Sequence, residues 1–146
     1  MLRFLFTCLI LISASSARAE IIDIDNAQLA SLSSSGVPVI DIRTAPEWEE
    51  TGIVPGSRLL TLFDEHGNSD PAAWLEKVKA IAKPGDPVIV MCHSGGRTRA
   101  ASQFLSKQGY AKVYNVKQGI RAWASENRPL ASAAPALASC RKAKTC

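Results

Sequence analysis

An α/β architecture, one open and mostly parallel β-sheet with helices on both faces, is predicted by three features of this sequence. Short β-rich runs alternate with stretches of helical periodicity from Ile21 to Ala124. The run Val88–Met91 is continuously apolar, as suits a strand buried on both faces of a parallel sheet. Clusters such as Pro84-Gly85-Asp86-Pro87 separate the runs as turns do. A chain of 146 residues holds one domain with a proper core. Its composition is that of a globular protein, which excludes a disordered chain.

Taken in order, Ile21 to Ile24 reads as a strand, and Asp25 as the N-cap of a helix through Ser33 with Leu29 and Leu32 on one face. Gly36 and Pro38 punctuate before a second strand, Val37 to Ile42. Thr44-Ala-Pro-Glu47 has the pattern of a capping box, with Pro near the helix start, and Gly52 ends that short helix. Ser57 to Leu62 is a further short strand. Asp70-Pro71 opens a helix whose apolar stripe is Trp74, Leu75, Val78, Ile81 and Ala82. After Val88–Met91, a glycine-containing loop leads to a helix marked by Ala101, Phe104 and Leu105 and ending near Gly109. Lys112 to Val116 is the last strand, and Ile120, Trp123 and Ala124 mark the helix that follows it.

The two ends read differently. Residues 1–19 combine Arg3, the apolar run FLFTCLILI and the triplet Ala17-Arg18-Ala19, the pattern of a secretory signal cleaved before Glu20. The run is too short for the roughly 20 residues that span a bilayer. Secretion or a periplasmic location is therefore expected, with no membrane attachment after cleavage. Residues 20–128 form the domain. Residues 129–146 are rich in Ala and Ser, have no convincing stripe, and read as a flexible tail in which Cys140 and Cys146 could close a local disulfide. Cys92 would then be the unpaired thiol.

Charge is unevenly spread. Acidic residues dominate from Glu20 to Asp86, whereas from Pro87 to Arg128 Glu126 is the only carboxylate among several Lys and Arg. A basic stripe with interleaved aromatics is missing, which argues against nucleic acid. The local excess favours a small anionic ligand near Cys92-His93-Ser94-Gly95-Gly96-Arg97.

Within that segment Gly95 and Gly96 allow backbone conformations barred to other residues, so successive amides can turn inward as an anion-binding nest. Thr98 can cap the following helix, whose N-terminus adds partial positive charge. A cysteine at this entrance, with Arg97 close by, is expected to be a thiolate near neutral pH and therefore a nucleophile. His93 is either a loop residue of arbitrary identity or a proton-transfer group, and both readings stand. His66, between Glu65 and Gly67, reads as a surface loop residue. No further His or Cys is spaced for ligation, so the sequence offers no metal site.

The sequence resembles the rhodanese-like domain family of sulfurtransferases over roughly Ile21 to Arg128. The resemblance rests on VIDIRTAPEWEETGIVPGS at 39–57, on CHSGGR after VIVM, and on VYNVKQGIRAW at 113–123. Three departures stand out: Val54 extends the stretch before Pro55-Gly56, the usual His before Ile-Pro is missing, and Gln118 replaces the first glycine of a closing pair. The resemblance implies a rhodanese-like single domain with Cys92 as the catalytic residue. It also implies that the amides of His93, Ser94, Gly95, Gly96 and Arg97 cradle the transferred sulfur, with Arg97 offering charge to the donor. The implied reaction is a double displacement: Cys92 takes sulfane sulfur from a thiosulfate-like anion as a persulfide, then passes it to a thiol, cyanide or protein acceptor. Neither a metal nor an organic cofactor is implied, and a monomer is expected.

Two rival readings remain. The same fold and an anion nest serve cysteine phosphatases and arsenate reductases, but their loops hold one residue more between Cys and Arg than the stretch from His93 to Gly96. The other rival is a partner-binding or sulfur-carrier module with little turnover of its own.

Overall fold

The computed structural model describes residues 19–146, so all but the last residue of the expected export signal lies outside the described residues. The elements in chain order are β1 (Glu20–Ile24), α1 (Asn26–Ser34), β2 (Val39–Asp41), α2 (Ala45–Thr51), β3 (Arg58–Leu59) and α3 (Pro71–Lys79). They continue with β4 (Val88–Met91), α4 (Gly96–Lys107), β5 (Lys112–Val116), α5 (Gly119–Ser125) and α6 (Ala134–Ala143). The five strands form one sheet in the order β1-β5-β4-β2-β3, and every pairing is parallel. This is the α/β layering that the alternation of periods predicts.

β4 lies at the centre, between β5 and β2, and all four of its residues are buried. Because side chains alternate along a strand, Val88, Val90 and Cys92 face one layer while Ile89 and Met91 face the other. The first layer is closed by Trp74, Leu75 and Val78 of α3 and by Ala101 and Leu105 of α4. The second is closed by Leu29 of α1 and by Ile120 and Trp123 of α5. Helices on both faces explain why the central strand carries no polar residue.

The cap signals behave as their chemistry requires. Asp25 accepts from the amide of Gln28 at 2.8 Å while Gln28 returns a carbonyl to the Asp25 amide at 3.0 Å, a reciprocal capping box. Asp70 accepts from the Ala73 amide at 3.0 Å ahead of Pro71. Gly52 ends α2 with φ +75°, a left-handed conformation that favours glycine. The strands expected over Val37 to Ile42 and Ser57 to Leu62 are shorter than their apolar runs, since regular pairing is confined to Val39–Asp41 and Arg58–Leu59. Beyond those strands the backbone still bonds across, with the Leu62 amide donating to Ile42 at 3.3 Å.

The segment after residue 128 corrects an expectation. It is not a loose tail: Ala131 bridges Ile53 through two backbone hydrogen bonds of 2.8 and 3.0 Å, and α6 then packs over the sheet edge. Leu137 and Ala133 are buried against Trp48, Ile53 and Leu59. Cys140 and Cys146 are joined by a disulfide whose Cα atoms lie 5.2 Å apart. The Lys77 ammonium of α3 donates to the Cys146 carbonyl at 2.9 Å, which ties the segment to a second element. The domain therefore continues past Arg128.

Candidate active site

The carboxyl ends of the strands in an open α/β sheet are where ligands bind, because loops there connect to helix N-termini on either face. Cys92 directly follows β4 at that end, and α4 begins four residues later at Gly96. Only the β4–α4 loop separates the central strand from its helix. Cys92 is 1% exposed and is the free cysteine among the described residues. Its side chain forms the floor of the loop, while His93, Ser94 and Gly96 are exposed above it.

The turn is set by Gly95, the N-cap of α4, which has φ +96°. From this conformation its amide donates to Cys92 Sγ at 3.2 Å. A Cβ at residue 95 would collide with the carbonyl of Lys117, so both conformation and space require glycine there. Gly96 differs from the sequence expectation: it is an ordinary first helical residue, and a Cβ on it would meet nothing within 4 Å. Thr98 also differs, since it sits inside the first turn of α4 and not at the cap. Its hydroxyl donates to the Gly95 carbonyl at 2.8 Å and lies 3.9 Å from Cys92 Sγ.

The loop is held from below by the start of α5. Ile120 donates its amide to the Cys92 carbonyl at 2.9 Å, and Arg121 donates to the His93 carbonyl at 3.1 Å. Gly119, with φ +62°, lets this approach happen, because a Cβ there would strike both of those carbonyl oxygens. Gln118, at the position where the resemblance expects another glycine, has φ −110° and needs none.

Arg97 reaches across to α2. Its guanidinium donates to both oxygens of Glu47, at 2.8 and 2.5 Å, in a bidentate pair. Glu47 Oε2 also accepts from the amide and hydroxyl of Thr44, at 3.0 and 3.1 Å. The Arg97 hydrogen bond is the main reason the Glu47 carboxyl is lowered to about 2, with Thr44 helping and partial burial opposing. Arg97 is raised in turn, chiefly by Glu47 and to a smaller extent by the nearby Cys92 sulfur, against the effect of burial. Glu47 is the site residue that sequence reasoning assigned only to local capping. Fifty positions separate it from Arg97, and one sequence carries no signal of that contact.

A second charged pair supports α2. Asp41, at the end of β2, and Arg43 are both fully buried, and Arg43 donates to Asp41 Oδ2 from its terminal nitrogen at 2.7 Å. Arg43 Nε also donates to Asp41, at 2.9 Å, and other guanidinium donors bind the Glu47 carbonyl at 3.1 Å, the Thr51 hydroxyl at 2.6 Å and the Gly52 carbonyl at 2.9 Å. Asp-x-Arg is thus a staple that seats the helix carrying Glu47. His66 lies in a turn far along the chain, exposed, with its amide bound to Asp64 at 2.9 Å.

A model of the rhodanese-like domain matches residues 25–126, and that span includes the whole of this loop. The chain belongs to the rhodanese-like domain family. Thiosulfate sulfurtransferase 18 of Arabidopsis thaliana is 31% identical over 123 residues, covering 82% of this chain and 90% of that protein. Rhodanese-like domain-containing protein 17 of the same plant is 28% identical over 122 residues, covering 81% of this chain and 78% of its own length. In three dimensions, the polysulfide-sulfur transferase of Wolinella succinogenes, solved as a 30 kDa homodimer, superimposes with a TM-score of 0.61 at 21% identity. That match covers 80% of this chain and 82% of the other. As a rhodanese-like protein, the chain sits in a family of sulfurtransferases, and its β4–α4 loop is the candidate for the chemistry.

Proposed function

We propose that this rhodanese-like protein moves sulfane sulfur from thiosulfate or a similar anionic donor to a thiophilic acceptor through a persulfide on Cys92. The observation that carries the reading is the Gly95 amide that donates to Cys92 Sγ at 3.2 Å from a helix N-cap, a positioned N–H donor at the atom that would carry the sulfur. In the first half-reaction the Cys92 thiolate attacks the outer sulfur of thiosulfate. A Cys92 S–S bond forms, the bond to the oxidised sulfur breaks, and sulfite leaves with the electron pair. In the second, an acceptor such as cyanide or a thiol attacks the outer sulfur of the persulfide and returns the Cys92 thiolate. Formation of a covalent intermediate in one half-reaction and its consumption in the other gives ping-pong kinetics.

His93, Ser94, Gly95 and Gly96 line the path to the sulfur in this reading. Arg97 acts within its pair with Glu47, as a fixed positive group beside the sulfur and not as a free arm. The tight loop suits a single sulfur better than a phosphate with its full oxygen shell, which sets the proposal apart from phosphatase chemistry. The amino-terminal pattern supports export, with sulfur transfer in the periplasm or outside the cell. Fractionation that finds the intact amino terminus in the cytosol would contradict that location.

Mass spectrometry of the purified protein with and without thiosulfate tests the central step. One added sulfur on the Cys92 peptide is expected, and Cys92→Ala should lose both that mass and thiosulfate:cyanide turnover while keeping its fold. A protein that carries no added sulfur would act instead as a docking module, and retained turnover in Cys92→Ala would remove Cys92 from the mechanism.

A further inference from the structure

We infer that the Cys140–Cys146 disulfide and the groove beside it form a second reactive site, at which a small carboxylate-bearing thiol binds and exchanges with the disulfide. The groove has a volume of about 370 Å³ and lies between the start of β3, the end of α3 and α6. Its size suits a small molecule and not a folded partner. Arg58, Lys77, Ser57 and Cys140 all line it. The site is remote in the fold from Cys92: it uses the amino-terminal end of an edge strand, whereas Cys92 follows the carboxyl end of the central one.

Three observations converge on an anionic thiol. The groove presents two cationic side chains, Arg58 and Lys77, the second already donating to the Cys146 main-chain oxygen at 2.9 Å, and no Asp or Glu side chain in its lining. Ser57 is 6% exposed, and its hydroxyl is buried there without a hydrogen-bond partner among the described residues. An orphan hydroxyl of this kind leaves hydrogen-bonding capacity unused just behind the groove wall. The disulfide ring itself, Cys140 to Cys146, encloses Arg141, Lys142 and Lys144 with no acidic residue. Nearby cations favour thiolates, so the ring attracts an attacking thiolate and makes a better leaving group of the departing one. Glu49 is drawn toward the ring, where it meets Arg141 at 3.5 Å with both side chains largely exposed.

Both cysteines are partly accessible to solvent. Because Cys140 lines the groove, the incoming thiolate attacks Cys140 Sγ. A mixed disulfide forms there, the Cys140–Cys146 bond breaks, and the electron pair leaves with the Cys146 thiolate. A second thiolate then attacks the ligand sulfur of the mixed disulfide and releases Cys140. In sum two thiols are oxidised to one disulfide, and the protein pair takes up their two electrons.

The test uses the oxidised full chain with reduced glutathione or cysteamine, an anionic and a cationic thiol, at equal thiolate concentration and low salt. Acid-quenched peptides containing Cys140 and Cys146 are followed by mass. Glutathione should open the ring about tenfold faster, as electrostatic steering allows, and the first adduct should sit on Cys140. That advantage should shrink severalfold in Lys77→Gln and in Arg58→Gln. In the unmodified chain it should collapse in about 1 M salt, where screening acts within about 3 Å. Equal rates for the two thiols, an advantage that survives both substitutions and high salt, or a first adduct on Cys146 would overturn the inference.

Discussion

Glu47 serves two neighbours with one carboxylate: it caps α2 through Thr44 and fixes Arg97 beside the sulfur of Cys92. The consequence for pH follows from its lowered pKa. The folded value of about 2 lies below the ordinary 4.5. The pair therefore contributes its full stability above the ordinary value and loses it as pH falls through the folded one. Both side chains are partly solvated, 30% and 26% exposed, so the contribution is about 1 kcal/mol. Glu47→Gln should thus be less stable than the natural protein by about that amount at pH 7. In urea titrations the gap should close between pH 4.5 and 2, the window set by the two values. A gap that stays constant across that range would mean that charge pairing is not what Glu47 supplies. In the sequence, Cys92 and Arg97 declare themselves because five positions bring them into one loop. Glu47 could not, since α2 reaches the loop only through the parallel pairing of β2 with β4.

At the level of elements, the loop is defined by what lies against it. Gly95 and Gly119 both hold positive φ, and both have backbone oxygens where a Cβ would stand. Gly119→Ala should therefore cost about 1–3 kcal/mol through strain and displacement of the Cys92 and His93 carbonyls. It should also slow sulfur loading, because the displaced carbonyls belong to the loop that presents Sγ. Gly96→Ala is the internal control for the backbone: its conformation is helical and its surroundings open, so thermal unfolding should stay close to the natural value. Equal damage from the two substitutions would show that the α5 contact does not shape the loop. The sequence signalled flexible residues at both 95 and 96, since a glycine pair reads as one turn. Which of the two the turn needs depends on Lys117, which arrives from the neighbouring strand.

For the whole molecule, the strand order was legible only as a class. Alternating periods imply parallel crossovers, and the apolar β4 implies a central place, but nothing local says that β3, two residues long, ends the sheet. That short edge leaves Trp48, Ile53 and Leu59 in need of cover, and the carboxy-terminal segment provides it chiefly with Leu137 of α6 and Ala133 just before it. A helix that buries so narrow a stripe of mostly small residues lacks the run of large apolar side chains that marks α3, which is why 129–146 reads as a tail. The packing gives this helix a measurable role. Leu137 is 2% exposed, and truncating a leucine so deeply buried removes its transfer energy and leaves a cavity. Leu137→Ala should lower unfolding stability by about 2–4 kcal/mol. Sulfur loading on Cys92 should survive at temperatures below the new transition, because α6 rests on the β3 edge and Leu137 is buried against Trp48, Ile53 and Leu59. A loss of less than about 0.5 kcal/mol, the range of ordinary surface substitutions, would place α6 outside the cooperative core; full loss of loading in a folded Leu137→Ala protein would instead mean that the edge and the loop are mechanically linked.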